Sequence, residues 1–164
     1  MTLTVDADGK AVWRGRELRC AIGRGGIART KAEGDGATPA GRFPLRRVLY
    51  RADRIGAPRT ALPRAAIAPT DGWCDAPADA RYNRAVSHPY KARAERLWRA
   101  DGCYDLLAVI GFNDDPVVAG AGSAIFLHVA RPDFAPTEGC VALALGDLRE
   151  VLAGWQPEGR MVIG

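Results

Sequence analysis

The stretch Ser123 to Ala142, SAIFLHVARPDFAPTEGCVA, holds His128, one of the chain's two histidines, and Cys140, which is preceded by Gly139. A thiol and an imidazole together can perform nucleophilic acyl chemistry. A free thiol is little ionised at neutral pH, so a nucleophilic cysteine needs a base or a positive field beside it. An imidazole, with an ordinary pKa near 6.5, can be that base. Gly139 has no side chain, so a substrate can approach the backbone there, and the amides of Gly139 and Cys140 are the candidate donors to an oxyanion. The same two residue types are compatible with a buried structural cysteine and a core histidine. The residues around them favour chemistry.

An apolar run, Ala124 to Leu127, delivers His128 at its end, and a second, Val141 to Leu145, follows Cys140. Between them lies a turn-rich connection through Arg131, Pro132, Asp133 and Pro136. This reads as strand, loop, strand, with His128 and Cys140 meeting at the mouth of the loop.

Thr137-Glu138-Gly139-Cys140, with His128 upstream, resembles the catalytic signature of the YkuD-type L,D-transpeptidases, a histidine followed by a Ser/Thr-His-Gly-Cys turn. Thr38-Pro39-Ala40-Gly41-Arg42-Phe43 is similar to the TPxGxF stretch of the same family, and the resemblance spans roughly residues 20 to 164. Glu138 stands where the family has histidine, and Ala142 where an arginine is usual. The resemblance implies a β-fold, Cys140 as nucleophile, His128 as base, no cofactor, and peptidoglycan stem peptides as substrate. It also implies a thioester passed to a diaminopimelate amine as a cross-link of 3-3 type or from the first stem residue, an envelope location, and acylation of Cys140 by a carbapenem. A cysteine peptidoglycan hydrolase and a non-catalytic wall-binding module are the competing readings. Thr137, Glu138, Arg131, Tyr82 and Trp73 are the candidate substrate-binding residues. Arg131 is the candidate replacement for the missing arginine, and Glu138 is expected to point away from the sulphur, towards the incoming amine or Arg131.

At 164 residues the expectation is one domain over the whole chain, with a core that needs no staple. The 19 glycines and 11 prolines lean towards short strands and turns, so we expect a mainly β protein, a sandwich or partly closed barrel with one or two short helices. The net charge of +4 is spread without a block and no basic-aromatic motif occurs, so no nucleic-acid partner is expected. No apolar run is long enough for a membrane span, and Met1 to Val5 carries neither the charged nor the apolar region of a secretory signal. Cys20, Cys74, Cys103 and Cys140 form no CxxC pair, so no metal site is expected; a Cys74–Cys103 bridge is possible on count alone. Oligomeric state is left open.

Residues 2 to 24 read as a hairpin with a third strand through Leu18, Cys20 and Ile22, and Gly23 to Gly36 as a loop without nucleotide-binding grammar. Thr38 to Gly41 reads as a type I turn before a strand from Phe43 to Tyr50. Residues 51 to 91 are irregular and are expected to wall a substrate cleft, with Trp73, Tyr82 and Asn83 either lining it or pinning the segment to the sheet. His88 sits in a turn-like setting with no acidic or thiol neighbour. Lys91 to Arg99 reads as a short helix or an extended arm, Tyr104 to Gly111 as a strand, Asp147 to Ala153 as a helix capped by Gly146 or Asp147, and Arg160 to Ile163 as a last strand.

Overall fold

The apolar alternation of the first residues forms a meander. In the computed structural model, which describes residues 1–164, β1 (Thr2–Val5), β2 (Lys10–Trp13) and β3 (Arg16–Ala21) pair antiparallel in sequence. The first turn is held by Asp6, whose carboxylate accepts the amides of Asp8 and Lys10 at 3.0 Å each. Two short pieces follow, β4 (Ile27–Ala28) and β5 (Thr38–Pro39), and then β6 (Gly41–Phe43) and β7 (Leu45–Tyr50), parted at Pro44, which has no N–H for a ladder. The expected type I turn at Thr38 to Gly41 is not formed. Thr38 and Pro39 are extended and pair parallel with β4, because buried Thr38 is needed as an acceptor by a neighbouring loop.

Residues 51 to 99 contain β8 (Arg64–Ala66), β9 (Asp71–Cys74), β10 (Ala85–Ser87) and β11 (Ala94–Arg96), the last three forming a separate small sheet in the order β10-β9-β11. The Lys91 to Arg99 segment is thus the extended arm, not the helix. The chain then makes β12 (Leu106–Ile110), β13 (Phe126–Val129), β14 (Val141–Leu143), helix α1 (Leu145–Gly154) and β15 (Arg160–Ile163). The helix starts at Ala144 with no side-chain cap, so neither Gly146 nor Asp147 plays the role expected of it.

Ten strands build one curled, half-barrel sheet in the order β6-β15-β1-β2-β3-β14-β13-β12-β7-β8. Its two faces bury different cores. Along β12, Leu106, Ala108 and Ile110 enter the larger core beneath α1, while Leu107 and Val109 enter a second core roofed by the small sheet. The period of two continues in the neighbouring strands: Leu127, Val141 and Leu143 point to the first core, Phe126 and Cys140 to the second. Trp73 packs edge-on against Phe126 at 5.2 Å and ties the small sheet to the large one. All four cysteines are buried free thiols, so the Cys74–Cys103 bridge is not formed.

Candidate active site

The same pleat sets the geometry of the thiol and imidazole. β13 and β14 run parallel with Leu127 opposite Val141 and His128 opposite Ala142. His128 therefore shares a face with Phe126, Cys140 and Ala142. Cys140 lies one pleat repeat back from His128 on the adjacent strand, roughly 8 Å away between Cα atoms from strand spacing and rise. Both side chains open on one cavity of about 270 Å³.

The thiol is held from two sides: the Phe126 amide donates to Cys140 Sγ and Sγ–H donates to the Ala124 carbonyl, each at 3.3 Å. Asn83 fixes that carbonyl's residue by accepting the Ala124 amide at 3.1 Å, and also accepts the Trp73 indole N–H at 2.9 Å. Burial, with Glu95 adding to it, pushes the Cys140 thiol up to about 12; the Phe126 amide, Lys31 and the Tyr104 hydroxyl pull the other way. His128 is only 7% exposed, and burial takes its pKa down to about 4. Its Nδ1 lies 2.9 Å from the Val129 carbonyl. A neutral ring there donates Nδ1–H to the carbonyl and keeps its lone pair on Nε2. The resting pair is neutral thiol and neutral imidazole.

The turn before the thiol is built from both motifs of the sequence. Thr137 Oγ donates to the Cys140 carbonyl at 2.6 Å and accepts the Gly139 amide at 3.1 Å. Thr137 itself is stitched to the strand end at Ile22 and to Arg24 by backbone bonds of 2.9 and 2.8 Å. Between those, Gly23 donates to buried Thr38 Oγ at 2.8 Å. A Cβ on Gly23 would lie 2.2 Å from the Gly36 carbonyl oxygen, and one on Gly139, whose φ is +133°, would lie 2.8 Å from that of Ala37. The space beside Gly139 is thus filled by the Ala37 backbone, and only glycine allows the contact. The Gly139 amide is already bonded to Thr137, whereas the Cys140 amide has no acceptor within the chain.

Other predicted residues fall at different depths. Glu138 points to solvent and its carboxylate takes Arg24 Nε at 2.9 and 3.2 Å; it does not pair with Arg131, which instead has Asp101 at 3.8 Å. Arg131, Thr137 and Glu138 line the cavity. Trp73 and Tyr82 are buried and do not line it. Trp73 supports Phe126 from behind, and Tyr82 donates to Glu33 at 2.5 Å and accepts the Gly122 amide at 2.9 Å. His88 lies against Gly72, with Nε2 3.5 Å from the Glu95 carbonyl, and does not line the cavity.

Several lining residues carry no signal in the sequence. Tyr104 is buried, lies edge-on to His128 at 5.3 Å and donates to Glu95, whose carboxyl burial holds above the ordinary carboxylate range. Glu33, which accepts Ser123 Oγ at 2.7 Å, and Lys31, which bonds Asp35 at 2.7 Å, line the opposite wall. From the 51 to 91 segment only Asp75 reaches the cavity; Glu95 and Arg99 come from the arm that follows it.

Fold and site together define a mainly β protein with one imidazole and two free thiols on a shared cavity, Cys140 on the sheet face of His128 and Cys103 beside Asp101. The family model for the YkuD L,D-transpeptidase catalytic domain matches residues 1–163, and the chain belongs to this family, which acts on peptidoglycan in the cell envelope. Comparison with curated proteins gives no match. No helix is long and apolar enough to cross a membrane.

Proposed function

We propose that the chain is a cysteine-dependent acyltransferase of peptidoglycan stem peptides. The observation that carries this reading is the Cys140 turn. Its thiol and the His128 ring face one cavity on one sheet face, and the Cys140 amide beside them has no partner within the chain. In the first half-reaction the Cys140 S–H proton passes to His128 Nε2 as sulphur bonds the carbonyl carbon. The oxyanion takes the Cys140 amide, with Gly139's amide committed to Thr137. The C–N bond then breaks and Nε2 returns the proton to the leaving nitrogen. In the second half-reaction an amine, by family a diaminopimelate side chain, attacks the thioester; its proton passes through His128 to the departing thiolate. The cross-link is of 3-3 type or starts from the first stem residue. Glu138 and Thr137 edge the cavity where an acceptor enters. Tyr82 and Trp73 stay off the cavity and act on the scaffold alone, holding Glu33 and Phe126 in place.

A high thiol pKa beside a weakly basic imidazole means that the proton moves together with attack and not before it. The test is incubation with purified sacculi followed by muropeptide analysis, with and without an added acceptor amine. New cross-links dependent on Cys140 are expected. Water-only products in both arms identify a hydrolase, and a peptide or carbapenem adduct on Cys74 or Cys103 removes the assignment.

A further inference from the structure

The hydrogen bonds of Cys140 leave His128 out. Sγ accepts from the Phe126 amide and its S–H donates to the Ala124 carbonyl, whereas the polar partner of the His128 ring is the Val129 carbonyl. Ala124 comes two residues before Phe126 and His128 two residues after it. The groups that can take the thiol proton therefore approach from opposite sides of the amide that anchors the sulphur. In the resting protein the proton is on the Ala124 side.

Ala124 presents its carbonyl there by a rare turn of the chain. Its φ is +54°, a left-handed value that a residue with a Cβ seldom adopts. Such a conformation persists where its surroundings over-determine it. The buried Asn83 amide supplies that constraint. Its Oδ1 accepts from the Ala124 amide and the Trp73 indole, and its Nδ2 donates to the carbonyls of Phe112 at 3.1 Å and Asn113 at 2.7 Å. Two donors face the oxygen and two acceptors face the nitrogen, so only one orientation of the amide satisfies all four. Asn83 and Asn113 are left-handed as well, at φ +55° and +47°, so three such residues converge on this one amide. Asn83 does not line the cavity, and its route to the chemistry is the Ala124 carbonyl.

A carbonyl that accepts from S–H stabilises the neutral thiol and opposes the thiolate. We infer that the Ala124 carbonyl is a latch on the resting thiol and that Asn83 is the positioning residue that holds it closed. The latch opposes reactions that start from free thiolate, such as attack on a small electrophile that makes no other contact. Acyl transfer, in which the S–H proton passes to His128 as the S–C bond forms, builds no free thiolate and is opposed less. Selectivity for a substrate that fills the cavity is thereby set from behind the sulphur. This deepens the Cys140 reading and rests on it for the acyl-transfer half alone.

The test compares two reactions of Cys140 in the purified protein, alkylation by iodoacetamide and acylation by disaccharide-tetrapeptide stems, each followed by intact mass and peptide mapping. In Asn83→Gly, where glycine keeps the positive φ, Cys140 alkylation at a fixed pH should rise about tenfold, the weight of one hydrogen bond, and acylation by less. Asn83→Asp keeps an oxygen for the Ala124 amide and loses both donors, so it should hold the acylation-to-alkylation ratio nearer to wild type however much stability it loses. An unchanged ratio in Asn83→Gly, or as large a fall in Asn83→Asp, overturns the role of Asn83. The other thiols report on loosening, since Cys20 and Cys74 are buried off the cavity and Cys103 lies on it. A rise shared by Cys103 means that the cavity has opened, and one shared by Cys20 and Cys74 that the fold has; either overturns the inference. If the variants do not fold, the S–H stretching band of otherwise unaltered protein decides. Identified by its loss in Cys140→Ser, it should sit at the lowered frequency of a thiol bonded to a carbonyl and stay there in His128→Gln. A band at the free-thiol frequency, or one that moves in His128→Gln, overturns the latch. A tenfold rise in alkylation with no peptide adduct in any variant or in wild type overturns the acyl-transfer reading and leaves the latch standing.

Discussion

At the scale of single residues the site is a thiol and an imidazole kept neutral by burial, and reactivity should follow. With the Cys140 thiol at about 12, its thiolate fraction at pH 8 is far below that of an ordinary cysteine. Iodoacetamide should therefore alkylate Cys140 about 10³-fold more slowly than a free thiol of ordinary pKa, and the rate should keep rising with pH beyond 9. Mass mapping of the alkylated peptide against time checks this; a plateau near pH 7 means that His128 forms an ion pair with the thiol before substrate arrives. His128→Ala should lower acylation by about 10²- to 10⁴-fold for loss of a general base, while His88→Ala stays within a few-fold, as measured by adduct formation. These two residues were legible because turn grammar and family motif fall on consecutive positions. Tyr104, Glu95 and Arg99 were not. They enter the cavity from a strand start and an arm distant in sequence, and nothing in their own neighbourhood marks them. The pairing of Glu138 with Arg24 was also out of reach, because it depends on Gly23 and Thr137 sharing a bridge.

At the scale of elements, the two sequence motifs prove to be one structure. The Thr38 hydroxyl holds Gly23, the residues on either side of it, Ile22 and Arg24, hold Thr137, and the Ala37 carbonyl lies against Gly139. Gly139→Ala should displace the Cys140 turn, since an added Cβ meets backbone and the φ of +133° is strained for any side chain. Acylation should fall at least as far as in His128→Ala, while thermal unfolding shows a smaller loss than a core truncation. Thr38→Val leaves the Gly23 amide unpaired in a buried place, and should destabilise by about 1–3 kcal/mol in chemical denaturation. Strands β1 and β2, whose burial alternates, β3 with Leu18 and Cys20 inward, the continuous apolar run of β12 and the closing strand β15 could be read from residue pattern. The Thr38 turn was misread because its Pro and Gly spacing satisfies a local preference that pairing with β4 overrides. In residues 51 to 91 the strands are three or four residues long, too short for a period to show, so their sheet became visible only through β11 pairing back onto β9.

At the scale of the whole molecule, the chain's two ends pair in parallel as β1 and β15, and Trp13 stacks on Trp155 at 5.6 Å where the helix leaves the core. Both indole N–H groups are buried without a partner, so Trp155→Phe should cost far less than Trp155→Ala, for which about 3–5 kcal/mol is expected from denaturant titration. The site is also written into the pH dependence of this stability. His128 has a folded pKa of about 4, below its unfolded value of 6.5, so the unfolded chain takes up the proton first as pH falls. The contribution of the neutral ring is complete above pH 6.5 and is lost on descending to about 4, by roughly 3 kcal/mol. Glu95 acts in the opposite sense, because its folded pKa is raised: stability from its protonated form is present at low pH and lost as pH rises through its folded value. The two slopes partly cancel in the wild type, and a flat profile there carries no information. The difference between wild type and His128→Gln removes Glu95 from the comparison, since burial and not Glu95 sets the His128 pKa. That difference should shrink by about 3 kcal/mol between pH 7 and pH 4 in urea unfolding. A difference independent of pH means that the His128 ring is solvated in solution and that the cavity beside Cys140 is open to water.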